Sequence, residues 1–340
     1  MRHARELETV TMSRVRIVSD IDECRELWNQ LIPRETISDL WEVRFCFHNQ
    51  YNHKPWFIVA EEDDRIVGFL PLSLDEEAGQ FNYFPGEMWE GKTWLEQNRV
   101  IARNGRVLKD MLKACPQAYN LRYLLPVENI HEVTHIVDEV GYLFKPPKYD
   151  YSFLNYMKEF SHKSEKRLSK DLEVYKQRNT SYRYNDIADF DKLVDLNLER
   201  FGSNSYFFDT RFREGFKQLM LLLQENGWLR LTSIIIDNTI AAVDLGCIYN
   251  GTYTLLAGGT NVDYPGIAKL INVHHMQFAC NEKLKRVDFL CGDFSWKKLF
   301  HLEARPLYML TSLAITSRFI PIYAEQQMEN SLNYMRQSNG

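Results

Sequence analysis

A glycine-rich connection in the second half of the chain places the strongest constraint on the fold. Gly258 and Gly259 lie at the end of a β-type run, and the segment 260–269 then passes through Pro265 and Gly266 into a helical pattern. A strand that leads through glycines into a helix start presents free backbone N–H groups, which bind phosphate. The sequence therefore predicts a strand–loop–helix unit with an anion-binding loop.

The small residues of this loop suit a pyrophosphate. Gly266 and Ala268 stand two apart at the helix start, so a pyrophosphate can approach the backbone amides, and the helix dipole favours its negative charge. Pro265 presets the first turn, and Lys269 adds a cation one turn in. The loop is not a P-loop, because no Gly-Lys-Ser/Thr follows. The alternative is a well-formed helix N-terminus that binds no ligand.

A second polar cluster follows the next predicted strand, 286–290. Asp288, Asp293 and Lys297 lie at the carboxyl end of that strand, beside the glycine-rich loop, where they could bind substrate. In the alternative interpretation, Asp293 caps the short helix that contains Trp296, and Lys297 pairs with a carboxylate.

Asp244 is a charge inside an otherwise apolar strand pattern, 240–249. A carboxylate that faces a cleft from a strand can act as a general base, whereas on the opposite pleat it would point to solvent. His274 and His275 follow on the helix after the glycine-rich loop. They lie on adjacent faces and cannot chelate one ion together, but one of them could face the site as a base.

The sequence His131-Glu132-Val133-Thr134-His135 spells HExxH in a predicted helix, 130–140, that Gly141 closes. In zinc peptidases the two histidines share a helix face, and the glutamate polarises metal-bound water. So short a match arises readily by chance, and Asp138 stands where the extended zinc pattern needs glycine. We predict no metal, with a zinc hydrolase as a remote alternative.

Composition excludes several classes of protein. The formal net charge of -5 argues against a general nucleic-acid binder. Six cysteines without a CxxC pair indicate reduced core thiols. The first twelve residues contain no apolar signal region, and no stretch approaches the roughly 18 apolar residues of a membrane span. We expect a cytoplasmic protein with no integral membrane segment.

The two halves of the chain share one predicted order of elements, which indicates a tandem α+β fold with largely antiparallel sheets flanked by helices. We place the first domain at 1–155, the second at 156–320 and a polar tail at 321–340. A predicted helix, 156–178, carries seven Lys or Arg against four acids. It is either a solvated connector or a wall that meets an anionic ligand, with Arg167 among its cations.

Several segments of the second half resemble the FemAB-like branch of the GNAT acyltransferases, the branch associated with exopolysaccharide or cellulose biosynthesis. The resemblance is carried by Gly227-Trp228-Leu229-Arg230-Leu231, the Asp237 turn, Ala241-Ala242, Gly258-Gly259-Thr260, Tyr264-Pro265-Gly266 and the ending Asp288-Phe289-Leu290-x-Gly292-Asp293-x-x-Trp296-Lys297. It extends over about 156–310 and is weaker over 14–155, which resembles a degenerate first domain.

The resemblance implies two GNAT-like folds, acyl-CoA as co-substrate and an amine acceptor between the domains. The residues implied for acyl-CoA are Gly259, Thr260, Asn261, Gly266, Ile267, Ala268 and Lys269, and those for the acceptor are Asp288, Trp296, Lys297 and Arg167. Asp263 stands where the family loop opens with Gln or Arg. Trp296 replaces a tyrosine, so an acid must come from elsewhere, such as Tyr264. Asp244 and Asp293 complete the predicted catalytic set.

We therefore expect an N-acyltransferase that moves an acyl group from acyl-CoA to an amino sugar, a peptide or a small amine. One alternative is a Fem-type enzyme that uses aminoacyl-tRNA, which the basic helix favours and the acidic total does not. Another is an inactive GNAT-like binding module, which Asp263 and Trp296 would fit.

Overall fold

The chain forms mixed α/β structure in which two halves repeat one order of elements. A computed structural model describes residues 13–89, 91–126, 135–292 and 294–313. The first half contains β1 (Arg14–Val18), α1 (Ile21–Leu31), α2 (Trp41–Tyr51), β2 (Lys54–Glu62), β3 (Arg65–Asp75), β4 (Gln80–Tyr83), β5 (Met88–Trp89), β6 (Lys92–Thr93), β7 (Ile101–Ala102), α3 (Gly105–Lys113), β8 (Ala118–Leu124) and β9 (Ile136–Phe144).

Two helices connect the halves, and the second half then repeats the order. The connecting helices are α4 (Phe153–Met157) and α5 (His162–Lys176). The second half contains β10 (Thr180–Tyr184), α6 (Asp189–Phe201), α7 (Thr210–Glu225), β11 (Leu229–Ile236), β12 (Thr239–Tyr249), β13 (Thr252–Thr260), α8 (Ile267–Asn281), β14 (Arg286–Asp288), α9 (Ser295–Leu299) and β15 (Glu303–Thr311).

Turn chemistry fixes the hairpins of the second half. Asp237 and Asn238 both have positive φ between β11 and β12, as do Asn250 and Gly251 between β12 and β13. Two-residue hairpin loops with positive φ match the twist of the strands that they join. The register of the central hairpins, and hence the position of Asp244 opposite Gly258, follows from these turns.

Thirteen of the strands form one sheet in the order β1-β2-β3-β4-β8-β15-β9-β14-β13-β12-β11-β10, with β7 paired to β3, and β5 and β6 form a separate two-stranded sheet. Most neighbours are antiparallel. The exceptions are β4 with β8 and β13 with β14, which are parallel and occupy equivalent places in the two halves. The halves also exchange their last strands, because β9 pairs with β14 of the second half and β15 pairs with β8 of the first.

The halves share a hydrophobic core as well as a sheet. Helix α2 packs against α7, where a Cβ added at Gly215 would lie 3.0 Å from the Phe47 ring and 3.3 Å from the Cys46 carbonyl oxygen. Phe47 and Phe216 are both fully buried in the same cluster. This contact and the exchanged strands fix the relative position of the two halves, so residues from both can build one site.

The mixed α/β class and the repeated element order are confirmed, and three local predictions are wrong. The helix predicted over 130–140 is a strand from Ile136 onward, because Ile136, Val137 and Val140 are β-branched and pair with β15. The helix predicted over 156–178 is instead two helices, α4 and α5, separated by residues 158–161. The strand predicted over 286–290 ends at Asp288, because the chain turns at Leu290, which has a φ of +53°.

Other predictions concern residues outside the described ranges. Residues 131–134 of the HExxH motif and the tail 321–340 lie outside them. The predicted domain boundaries at 155 and 320 stay a prediction. Within those ranges, no three His, Cys, Asp or Glu side chains form a group that could hold a metal ion. No helix there has the length and apolar character to cross a membrane.

Candidate functional site

A gap between two parallel strands forms the candidate site. β13 and β14 pair only over Thr252–Thr254 and Arg286–Asp288. Beyond that point β13 continues to Thr260, whereas the chain after β14 turns away through Leu290 and Gly292, which have φ of +53° and +103°. The gap opens into a cavity of about 560 Å³.

One wall of the cavity is the bulged part of β13. Leu245 of β12 is opposite Ala257, and the next residue, Gly246, is opposite Leu255, so Leu256 is an extra residue in the ladder. Leu255, Leu256 and Ala257 all line the cavity. The bulge interrupts the ladder with β12 next to the gap where β13 no longer pairs with β14.

A second cavity, of about 520 Å³, lies along the loop between β13 and α8. It shares Arg200, Thr260, Ala268, Asn272 and Trp296 with the first cavity, so the two are parts of one cleft. Gly266 begins α8 in a left-handed conformation (φ +87°, ψ 2°) and provides no side-chain cap. The amides of Ile267 and Lys269 already donate to the carbonyl oxygens of Tyr264 and Gly266, at 3.1 and 2.9 Å. The Ala268 amide between them has no side-chain cap and can bind an anion.

Six of the seven residues predicted to bind acyl-CoA line the second cavity, namely Thr260, Asn261, Gly266, Ile267, Ala268 and Lys269. Gly259 faces the other way, because a Cβ there would lie 2.6 Å from the Leu193 carbonyl oxygen and 2.8 Å from Leu196 Cβ on α6. Its lack of a side chain allows a helix to pack closely.

The cations of the cleft already have partners on the protein. Lys269 Nζ forms an ion pair with Asp171 of α5, and both side chains are partly exposed. Arg200 Nη1 donates to Thr260 Oγ1 at 2.7 Å. Exposed ion pairs of this kind are weak, so a phosphate can compete with Asp171 for Lys269.

Asp244 reaches the first cavity from β12, as the sequence predicts for a residue facing a cleft. Its side chain is 13% exposed, and its Oδ2 is 2.9 Å from Nε2 of His275, which is buried on α8. The carboxylate lies directly over Gly258, where an added Cβ would collide with Oδ1. The glycine pair predicted as a phosphate loop therefore also makes room for this carboxylate.

The opposite wall comes from the first half of the chain. Glu96 and Glu139 line the cavity beside Trp94, Tyr123 and Tyr206. Burial raises the pKa of Glu96 to about 7, although its carboxylate accepts a hydrogen bond from the Cys291 amide at 2.8 Å. Burial also raises the pKa of Glu139. Such carboxyl groups can exchange protons with an amine near neutral pH.

Two residues predicted to bind substrate serve as internal supports. Asp288 is 2% exposed and accepts hydrogen bonds from Arg305, Gln97 and the Leu290 amide. Lys297 lines the first cavity, but its Nζ donates to the carbonyl oxygens of Phe289, Leu290 and Cys291 at 2.9–3.0 Å. These bonds hold the turn that leads the chain away from β13.

The remaining predicted residues lie at different places. Trp296 lines both cavities and packs its ring against Phe289 and Phe300. Tyr264 lines the second cavity beneath the Arg178 guanidinium, 5.2 Å from its ring centre. Arg167 is exposed on α5 and is not among the residues that line either cavity. Asp293 lies outside the described residues.

The sequence did not predict the cavity wall that contains Glu96 and Glu139. Glu96 lies in an irregular stretch, and Glu139 lies in the segment that was predicted to be a helix, so no periodic pattern marks either residue. Asn197 and Arg200 belong to an ordinary amphipathic helix, α6. A carboxylate within an aromatic stretch (Trp94-Leu95-Glu96) was the one local signal for a polar group in a buried place.

Comparisons with known proteins agree with this geometry. Residues 162–298 match the family model described as an acetyltransferase (GNAT) domain. No curated protein matches the sequence. The structure resembles that of FemX, with a TM-score of 0.55 and 10% identity over 88% of this chain and 97% of that one.

Two further solved structures share the fold. One is the C-terminal domain of a putative lysylphosphatidylglycerol synthetase from Agrobacterium fabrum (TM-score 0.51, 9% identity, 86% of this chain and 93% of that one). The other is a tandem GNAT protein from the clavulanic acid biosynthesis pathway (TM-score 0.50, 10% identity, 90% of this chain and all of that one). The chain therefore has the tandem GNAT-like fold of these structures, and its residues 162–298 match the acetyltransferase (GNAT) domain model.

Proposed function

We propose that this protein is an N-acyltransferase that moves an acyl group from acyl-CoA to an amine acceptor in the cleft between its two halves. The observation that carries the proposal is the continuity of the cleft. It runs from the α8 N-terminus, which has no side-chain cap, to the gap beside the β13 bulge and the Asp244 carboxylate.

The donor side fits a pyrophosphate followed by an acyl group. The Ala268 amide at the start of α8 can donate to a phosphate oxygen, with Lys269 and Arg200 as cations at the rim. A thioester that extends from there along β13 reaches the bulge at Leu256, where a backbone N–H group that faces the gap between β13 and β14 would stabilise an oxyanion. The apolar side chains of Leu255 and Ile271 line this part of the cleft.

The acceptor side fits a protonated amine. Carboxylates at Asp244, Glu96 and Glu139 attract an ammonium group, and the rings of Tyr206 and Trp94 can contact it by cation–π interactions. In the reaction, Asp244 takes a proton from the ammonium group. The free amine then attacks the thioester carbon and forms the new N–C bond, and the C–S bond breaks. The second amine proton passes to the CoA thiolate, through Tyr264 or water, which leaves the amide and CoA as products.

Calorimetric titration with acetyl-CoA and longer acyl-CoAs tests the donor site. Gly266→Leu should reduce the affinity at least tenfold, because its φ of +87° disfavours a side chain and a leucine there would cover the helix N-terminus. Gly227→Leu is the matched control, since Gly227 also has positive φ and open space around it but ends α7 away from the cleft. No binding up to millimolar acyl-CoA would refute the proposal.

Asp244→Asn tests the catalytic role separately from binding. The change should lower turnover about a hundredfold or more by removing the proton acceptor, with acyl-CoA affinity unchanged. Binding of acyl-CoA by the wild type without transfer to any amine would instead identify an inactive binding module.

Helix α5 supports one alternative, a Fem-type transfer from aminoacyl-tRNA. Its exposed face carries Lys163, Lys166, Arg167 and Lys170, and such a run can bind a nucleic-acid backbone. A gel-shift titration with charged tRNA distinguishes the two donors. Specific tRNA binding that is lost in a Lys163→Glu, Lys166→Glu variant, together with no acyl-CoA binding, would favour the alternative.

A further inference from the structure

A chain of hydrogen bonds leads from the cavity into the core behind Asp244. Asp244 Oδ2 lies 2.9 Å from His275 Nε2, and His275 Nδ1 lies 3.0 Å from the Tyr253 hydroxyl oxygen. His275 is 1% exposed and Tyr253 is not exposed at all. The Asp244 carboxylate is therefore the end of this chain that meets the cavity.

The direction of the protons along the chain follows from Asp244, because a carboxylate can only accept a hydrogen bond and so requires a proton on His275 Nε2. Burial raises the pKa of Tyr253, so its hydroxyl keeps its proton and can donate to an Nδ1 that carries none. A neutral imidazole that accepts at Nδ1 carries its proton on Nε2. That Nε2–H then donates to Asp244, whose own carboxylate oxygens can only accept.

We propose that His275, oriented by the Tyr253 hydroxyl, is a positioning residue that fixes the Asp244 carboxylate toward the acceptor amine. The proposal rests on the proposed function, in which Asp244 takes the ammonium proton. The His275 bond holds Oδ2, while Oδ1 lies over Gly258, which lines the cavity. One carboxylate oxygen is thus anchored in the core, and the other is left to receive a proton from the acceptor.

The arrangement requires two specific features of the fold. Gly258 is directly opposite Asp244 in the β12–β13 ladder, and any side chain there would collide with Oδ1. His275 lies on the buried face of α8, one turn beyond Ile271, which lines the same cavity. The strand that carries the acid and the helix that begins at the anion-binding loop therefore meet at this hydrogen bond.

Other titratable groups face the chain from neighbouring elements. On the buried side they are Arg230 of β11 and His274 of α8, and across the cavity they are Glu96, Tyr123, Glu139, Arg200, Tyr206, Cys291 and Lys297. His274 stacks on Tyr182 with ring centres 4.3 Å apart and bonds Tyr184, so it belongs to the other face of α8. It provides a matched control on the same helix.

Steady-state kinetics of four variants test the proposal. His275→Phe should lower kcat about tenfold to a hundredfold, a loss comparable to that seen when the hydrogen-bond partner of a metal-binding side chain is removed. KM for acyl-CoA should stay unchanged. His275→Gln should recover part of kcat because its amide nitrogen can occupy the Nε2 position, Tyr253→Phe should lose less than His275→Phe, and His274→Phe should match the wild type.

The pH dependence provides a readout that a merely structural role would not change. A carboxylate that loses a hydrogen-bond donor holds its proton more tightly. The acid limb of the kcat profile should therefore move to higher pH in His275→Phe and, by a smaller amount, in Tyr253→Phe. Because Tyr253→Phe removes only a hydroxyl, it serves as the test if His275→Phe does not fold.

Nitrogen NMR of the histidine rings tests the geometry without activity. The wild type should show His275 protonated at Nε2 and bare at Nδ1, and Tyr253→Phe should broaden or shift the Nδ1 signal. A proton on Nδ1, or turnover and pH profiles that are the same in His275→Phe and the wild type, would overturn the proposal while leaving the proposed function intact. Absence of acyl-CoA binding and of transfer in the wild type would refute the proposed function, and the role of His275 with it.

Discussion

In each half of the sheet, two parallel strands pair over a short stretch and then separate, and the two openings differ in what occupies them. β4 and β8 pair over three residues, 80–82 with 118–120, just as β13 and β14 pair over 252–254 with 286–288. In the first half, Asn98 then takes the place beside β8 and forms a parallel bridge with Leu124. In the second half the corresponding space is the cavity of about 560 Å³.

The helix that follows each opening also differs between the halves, because α3 has a side-chain cap at its N-terminus and α8 has none. α3 begins with Asn104, whose side chain accepts from the Val107 amide at 3.0 Å. α8 begins with Gly266, which provides no side-chain cap. The first half therefore caps its helix N-terminus with a side chain, whereas α8 bonds only to backbone carbonyl oxygens there, through Ile267 and Lys269, and leaves the capping position open to a ligand. A repeated fold can thus keep one site by filling and capping the other.

The segment that fills the first opening also builds the second site. Asn98 is held by Arg44, while Glu96 and Trp94 of the same segment line the cavity of the second half. Gln97 donates to Asp288 at 3.0 Å and so connects the segment to β14. The first half therefore provides a wall of the cavity in the second half, and changes to the segment 94–98 should affect both openings.

Removal of the Arg44 guanidinium, which holds Asn98 in the opening of the first half, should have the largest effect on stability. Arg44 is 2% exposed and donates to the Asn98 side chain at 2.7 Å and to the carbonyl oxygens of Ser38 and Phe84. Arg44→Met leaves these three buried acceptors unpaired, which should lower the free energy of unfolding by about 3–5 kcal/mol.

Urea denaturation of Arg44→Met measures the effect, and Arg25→Met, at an exposed position of α1, is the control. Equal stability of the two variants would mean that the contacts of Arg44 with Asn98 in the first opening contribute nothing to the free energy of unfolding. In that case the comparison between the halves would be one of shape alone.

The sequence predicted the second half of this comparison better than the first. The loop after Gly258 is contiguous in sequence, so its small residues, proline and helix start could be predicted from local chemistry, and six of its seven predicted residues line one cavity. Glu96 and Glu139 reach the site through long-range pairing, because β9 crosses to β14 and Gln97 bonds Asp288. Local periodicity carries no information on such exchanges.

The pH dependence of the free energy of unfolding tests whether the Glu96 carboxyl is buried, as the rest of the segment 95–98 is. Burial raises the pKa of Glu96 to about 7, above the value of about 4.3 in an unfolded chain. A raised pKa contributes stability that is fully present below the unfolded value and is lost as pH rises through the folded value. Relative to the wild type, Glu96→Gln should therefore gain on the order of 2 kcal/mol between pH 5 and pH 8.

Thermal or urea unfolding at several pH values measures this difference. Glu282→Gln, at the exposed end of α8, is the control and should show a constant difference from the wild type. If Glu96→Gln also showed a constant difference, the carboxyl would be solvated in the folded protein, and the first-half wall of the cavity would be open to water.

The smallest expected effect concerns the two helix N-termini and separates stability from binding. Asn104→Ala removes the bond to the Val107 amide and should cost about 1 kcal/mol of unfolding free energy, the usual value for a lost N-cap. Acyl-CoA affinity should not change, because α3 has no ligand to bind. Gly266→Leu should show the reverse balance, with a loss of affinity larger than its loss of stability. Loss of acyl-CoA affinity in Asn104→Ala would contradict the assignment of the donor site to the second half alone, because the first helix N-terminus would then contribute to binding.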